Sequence, residues 1–210
     1  MGGQLDRVAT THKTAYIISS FMKTKDKIVQ TAIKLFNASD IKSITTNHIA
    51  EKAGISPGNL YYHYKNKEAI ISEIFDRMAA EELVACHNEQ INDVAALLEF
   101  FENILSIYWK YRFFRFELSF LLNQDKSLKE KFTSYQNLQI SDTEGCLNRF
   151  IENGVIRPIS SDQISAIAKN TVLILNFWIP YVKATSTSLT KQSVREGMNV
   201  IIQTLNLLKH

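Results

Sequence analysis

The sequence predicts an all-α protein with a small basic head and a larger helical body, and two observations carry that prediction. Only seven glycines and three prolines punctuate the 210 residues, which leaves few breaks and favours long helices over many short strands. Apolar residues then recur at helical spacing in one segment after another. With 45% hydrophobic and 21% charged residues, the composition is that of an ordinary soluble globular chain, neither disordered nor membrane-bound. The length admits one large domain or a small domain followed by a medium one.

Residues 1–22 show no sustained periodicity and are expected to be an extension, disordered or loosely helical. From Thr24, expected to be an N-cap, Ile28, Val29, Ala32, Ile33, Leu35 and Phe36 predict a first helix to about Ser39. Thr45 then stands ready to cap a short helix with Ile49, Ala50 and Ala53 inside, ended by Gly54 in the left-handed conformation. Ser56-Pro57 supplies the next N-cap and first helical position, opening another short helix through Tyr64. Two short helices joined by Gly-Ile-Ser make a helix-turn-helix. A cap at Asn66 starts a longer helix from Lys67 towards Asn88, with Ile70, Ile71, Ile74, Phe75, Met78 and Leu83 on one side. Helices at about 93–110, 112–123, 128–153, 162–183 and 190–208 complete a set of nine; Gly154 stops the third of these, and Pro158 with Ser161-Asp162 resets the chain. The expected division is an extension at 1–22, a head at 23–68 and a body at 69–210.

Charge is unevenly distributed. Residues 23–67 hold eight lysines against Asp26, Asp40 and Glu51, a net of +5 in a chain of net +3, so a polyanion is the expected partner of the head alone. Cys86 and Cys146 lie far apart without a CxxC pair and read as reduced thiols of a cytoplasmic protein. No targeting or membrane-spanning segment is evident. The five histidines are scattered, and neither a Gly-rich phosphate loop nor a nucleophile elbow occurs, so no catalytic set, metal site or cofactor is expected.

On a wheel of about 100° per residue, Leu60 and Tyr64 share one face of the second short helix. Gly58 and Tyr62 lie opposite, Asn59 and His63 occupy one flank, and Tyr61 the other. So much hydrogen-bonding capacity facing away from a core suits the major groove: Tyr and His reach phosphates, Asn can bond adenine bidentately, and Gly58 lets the backbone approach closely. The Ser56 hydroxyl and the free N–H groups at the helix start can meet a phosphate.

The run from Thr45 to Glu68, TTNHIAEKAGISPGNLYYHYKNKE, preceded by Ile28, Ala32 and Leu35-Phe36, closely resembles the DNA-binding signature of the TetR family of repressors. The resemblance covers roughly residues 24–75; Tyr64 departs from it where Phe is usual. It implies that Gly58, Asn59, Tyr61, Tyr62 and His63 face DNA, that Thr46 and Asn47 reach bases or phosphates beside the capping Thr45, that Lys67 contacts a phosphate, and that Pro57 touches a thymine methyl. It also implies a transcriptional regulator bound to double-stranded operator DNA as a homodimer through the last two helices. The stripes Ile164, Ile167, Ala168, Val172, Leu175 and Ile179, and Val194, Met198, Ile201, Ile202, Leu205 and Leu208, are broad enough to pack both the chain's own core and a partner.

Six of the twelve phenylalanines fall in residues 100–120, with Tyr108, Trp109 and Tyr111. They exceed what one helix pair needs and predict an apolar cavity for a small effector among Phe101, Tyr108, Phe116, Phe120, Tyr135 and Trp178. Arg112, Arg115 and Glu117 are its potential polar anchors, with Arg112 read as a solvated charge. The rival reading is a helical small-molecule-binding protein or enzyme with a vestigial head. The complete set of potential DNA contacts argues against it.

Overall fold

A computed structural model describes residues 22–87, 94–186 and 188–209, and those residues form ten helices and no strand. Helix α1 covers 22–38. It is followed by α2 (Thr46–Lys52), α3 (Pro57–His63), α4 (Lys67–His87), α5 (Val94–Lys110), α6 (Arg112–Phe116), α7 (Leu118–Gln124), α8 (Lys126–Glu152), α9 (Ser161–Thr185) and α10 (Lys191–Asn206). The chain parts into two units, 1–74 and 75–210, where the sequence reading divides it at 68/69; the first turns of α4, with buried Ile70, Ile71 and Ile74, belong to the first unit.

In the first unit, α1 buries Ile28, Val29, Ala32, Ile33 and Phe36. Thr24 is not its N-cap, because the chain is already helical at Met22; the rest of the extension expected at 1–22 lies outside the described residues. Asp40 shapes the turn after α1, its Oδ1 accepting from the Lys42 N–H at 2.9 Å, and this turn buries Ile41 and Ile44. Gly54, at φ 62°, closes α2 in the left-handed region that favours glycine. The Asn66 Oδ1 accepts from the Ala69 N–H at 2.9 Å, capping α4.

In the second unit, α8 packs on α9, α9 on α10, α10 on α5 and α6 on α9. The single helix expected at 112–123 is two, parted at Glu117, whose backbone (φ −105°, ψ 15°) leaves the helical region. Asp125 starts α8 by accepting from the Leu128 N–H at 3.1 Å, two residues before the predicted start. Ser160 rather than Ser161 caps α9, in a box with Gln163, and Thr190 caps α10 in a box with Ser193. Trp178 fastens α9 to α10: its Nε1–H donates to the Ser193 carbonyl at 2.7 Å. A Cβ at Gly197 would stand 2.5 Å from the Trp178 ring, so only glycine admits this contact.

The stripes predicted on α9 and α10 go mainly inward. Ala168, Ile179, Val194, Met198, Ile201 and Leu205 are buried in the unit's own core. The outward face of α9 carries instead Leu173, Phe177 and Tyr181, 53%, 42% and 56% exposed and one helical turn apart.

Candidate functional site

The exposed face of the head is built by local capping. The Thr45 Oγ1 accepts from the His48 N–H at 3.3 Å, and the His48 Nδ1 accepts from the Thr45 N–H at 3.3 Å, forming a reciprocal box at the start of α2. The Ser56 Oγ accepts from the Asn59 N–H at 3.2 Å, and Pro57 opens α3. Leu60 and Tyr64 are buried, which orients everything else on α3. Tyr61 is 51% and Tyr62 75% exposed; Asn59, Gly58, Pro57, Ser56, Thr45 and Asn47 are also exposed, and Thr46 is half-buried. The wheel therefore reads the helix correctly: its inner side is narrow, and large polar rings face outward.

Three details refine the individual roles. The Thr46 and Tyr61 hydroxyls lie 2.9 Å apart, so α2 holds the Tyr61 ring and the two act as one unit. No heavy atom lies within 4 Å of where a Cβ would stand on Gly58; packing within the chain does not ask for glycine there. His63 is half-buried and stands edge-on to Tyr62 at 5.4 Å between ring centroids. Partial burial, and then the charge of Lys25, hold its imidazole below the usual value, favouring the neutral form.

Lys67, which the resemblance makes a phosphate contact, also makes bonds within the head. Its Nζ donates to the carbonyls of Ile41 and Ile44, both at 2.9 Å, tying the start of α4 to the turn after α1. Two of its three ammonium protons are engaged inside the head. The reason is geometric: the two carbonyls close a loop that has no helix to satisfy them.

The second unit contains a cavity of about 640 Å³. Three predicted residues line it, Phe101, Tyr108 and Tyr135; Phe116, Phe120 and Trp178 do not. Phe116 and Phe120 are half-buried on α6 and α7, which contribute no lining residue. Helix α6 packs on α9, and Phe116 lies beneath the Lys183 Nζ, 3.3 Å from its ring centroid, whereas the cavity wall comes largely from α5 and α8. Trp178 is spent on the α9–α10 contact. The sequence reading missed Ile104, Gln139, Leu147, Phe150 and Leu205 on the wall.

A buried polar network closes one side of this cavity. The Arg115 Nη2 and Glu82 Oε1 stand 2.8 Å apart with side chains 1% and 3% exposed. The guanidinium lies over the Tyr108 ring, 3.5 Å from its centroid. The Tyr135 hydroxyl donates to the Glu82 Oε2 at 2.5 Å. The Gln139 Nε2 donates to the Tyr135 hydroxyl at 3.1 Å, and the Asn176 Nδ2 donates to the Gln139 Oε1 at 3.1 Å. Burial, reinforced by the Glu82 charge, raises the Tyr135 phenol far above its ordinary value and keeps it a donor. Arg115 is thus an internal anchor, and Glu117 pairs with Lys183 at 3.2 Å. Arg112, read as a solvated charge, is instead half-buried: it donates to the Trp109 carbonyl at 2.8 Å and lies over the Trp109 ring. A sequence signal for Glu82 existed, since it continues the helical stripe of Ile71, Phe75 and Met78 on α4.

Among the described residues no group of three or more His, Cys, Asp or Glu could hold a metal ion, and no helix is long and apolar enough to cross a membrane. The side chains of Cys86 and His87 lie outside the description.

Comparison with known proteins agrees with this geometry. Residues 28–74 match the family described as bacterial regulatory proteins of the tetR family, and residues 77–207 match the TetR family described as bacterial transcriptional repressor. Fifty residues are 38% identical to the HTH-type transcriptional repressor KstR2 of Mycolicibacterium smegmatis, 24% of each chain. Fifty-five are 42% identical to the HTH-type transcriptional regulator QacR of Staphylococcus aureus, 26% of this chain and 29% of that one. The matched stretches span about a quarter of these relatives' length. The fold resembles the crystal structure of a TetR-family transcriptional regulator from Marinobacter aquaeolei VT8, with a TM-score of 0.74 and 26% identity over 89% of this chain and 98% of the other. These relatives and both families are transcriptional regulators rather than enzymes. With one match spanning the head and another most of the body, the chain belongs to the TetR family of bacterial transcriptional regulators.

Proposed function

We propose that this chain is a cytoplasmic repressor that grips double-stranded operator DNA as a homodimer and lets go when a small, mainly apolar molecule fills the body cavity. The observation that carries DNA binding is the outer face of α3, where Tyr61, Tyr62, Asn59 and Gly58 stand exposed on a helix held from behind by Leu60 and Tyr64. The net charge of +5 over residues 23–67 supplies the sequence-independent attraction. Gel shift with the DNA upstream of the chain's own gene tests it: a salt-sensitive, sequence-selective complex supports the reading, and no selectivity over random duplex defeats it.

The homodimer rests on Leu173, Phe177 and Tyr181, an apolar face of α9 that is exposed among the described residues. Phe177→Glu should yield monomers in sedimentation and weaken operator binding, because a dimer reads two half-sites together. A dimer of unchanged affinity would move the interface elsewhere. Release by a ligand rests on the cavity of about 640 Å³, within the size range of small-molecule sites. A ligand that favours the DNA-incompetent state by about 1–3 kcal/mol lowers operator affinity roughly 5–150-fold, and DNA lowers ligand affinity equally. A thermal-shift screen followed by gel shift with each hit checks this, and hits that leave DNA affinity unchanged would refute the release step.

A further inference from the structure

The charges around the cavity name the class of ligand, an inference that rests on the cavity being the effector site. Its lining includes the apolar and aromatic side chains of Phe101, Ile104, Leu147 and Phe150. Among the described residues that line it, the buried Glu82, the half-buried Asp142 and the exposed Glu152 are carboxylates, and Arg149, also exposed, is basic. The one buried guanidinium nearby does not offset this on the ligand's side. Glu82 lines the cavity and Arg115 does not, so the ion pair turns its negative end inward. Arg115 lies over the Tyr108 ring and donates one Nη to the Met78 sulfur at 3.3 Å, with its charge spent on groups of the protein. The last turn of α8 also contributes lining residues, Phe150, Glu152 and Asn153, and a helix C-terminus carries partial negative charge.

We infer that the cavity selects lipophilic cations, an apolar or aromatic body bearing an amine or quaternary ammonium, over amphiphiles of the same shape that end in a carboxylate. The aromatic rings of Phe101, Tyr108 and Tyr135 favour the same choice, since a cation is attracted to a ring face and an anion is not. A carboxylate tail would have to enter beside the half-buried Asp142 and the exposed Glu152, with the exposed Arg149 as a counter-ion and the buried Glu82 already paired with Arg115.

Three probes with one tail and different heads test this: decyltrimethylammonium, decanol and decanoate, each kept below its aggregation concentration and titrated calorimetrically into the full chain. The cation is expected to bind at one site per chain about tenfold or more tightly than the carboxylate, with the alcohol between them. That is the order of effect when a unit charge several ångströms from a carboxylate is inverted at an effective dielectric of about 20. The ratio should shrink in the double variant Asp142→Asn, Glu152→Gln, whose side chains are not fully buried, and shrink again in added salt. Decanoate binding as tightly as the cation, or a ratio indifferent to both the substitutions and the salt, overturns the inference while leaving the cavity a ligand site. Binding of none of the three removes the ligand site itself, and the proposed release mechanism falls with it.

Discussion

The two units of this protein assemble their candidate sites by opposite means. In the head, the exposed set runs from Thr45 to His63 along two short helices, and neighbours along the chain orient it: Thr45 with His48, Ser56 with Asn59, Leu60 with Tyr64. In the body, the cavity gathers Glu82, Phe101, Tyr135, Phe150 and Leu205 from four helices, and bonds between distant residues such as Glu82 and Tyr135 hold its polar side. A site made of neighbours tolerates substitution one residue at a time. A site made by convergence depends on the few groups that tie the helices together.

Five substitutions press on that contrast. The largest effect is expected at Arg115. Arg115→Leu leaves the Glu82 carboxylate buried without its cation and should cost about 3–5 kcal/mol in chemical denaturation. The pair Arg115→Leu, Glu82→Gln should recover much of it, and an Arg115→Leu chain as stable as the parent would show that the network does not hold the body. Next is Lys67→Ala, which strips donors from the Ile41 and Ile44 carbonyls and should lower head stability by about 1–3 kcal/mol. If melting is unchanged while operator affinity falls at all sequences alike, Lys67 is a phosphate contact after all.

Gly58→Ala should separate stability from binding. A methyl there meets open space and gains up to about 1 kcal/mol of helix propensity, yet it should weaken operator binding if the backbone must approach the duplex. Equal or tighter DNA binding by this variant would deny the close approach. Tyr62→Ala, at the most exposed ring of α3, should likewise leave the melting temperature unmoved and reduce affinity. The narrowest effect is expected from Asn59→Ala, which should relax preference at one base pair alone, by roughly 1–3 kcal/mol. Binding-site selection with an unaltered base profile would assign base reading elsewhere, with Asn47 the next candidate.

The same contrast explains how much could be read before folding. The helix-turn-helix was legible to within a residue or two because caps, a helix-ending glycine and an N1 proline are local signals. Helix α6 was not separated from α7 because nothing between Arg112 and Phe120 breaks a helix; the bend at Glu117 accompanies the packing of α6 on α9. Phe116, Phe120 and Trp178 were placed in the cavity on composition alone, and aromatic composition does not say which side of a helix is spoken for. The resemblance makes Lys67 a phosphate contact, and its bonds to carbonyls 23 and 26 residues away could not be read locally.

The amino-acid sequence by itself determined the all-helical class, the short helices of the head and the face of α3 that looks outward, since each follows from spacing and capping within a few residues. Tertiary structure alone decided that Arg115 pairs with Glu82, that Trp178 seats on Gly197, and that α9 keeps Leu173, Phe177 and Tyr181 outside while Ala168 and Ile179 go in. Periodicity shows that a helix has an apolar side. Which stripe of that side meets the chain's own core is settled by the neighbours that arrive from far along the chain, and no local pattern encodes their approach.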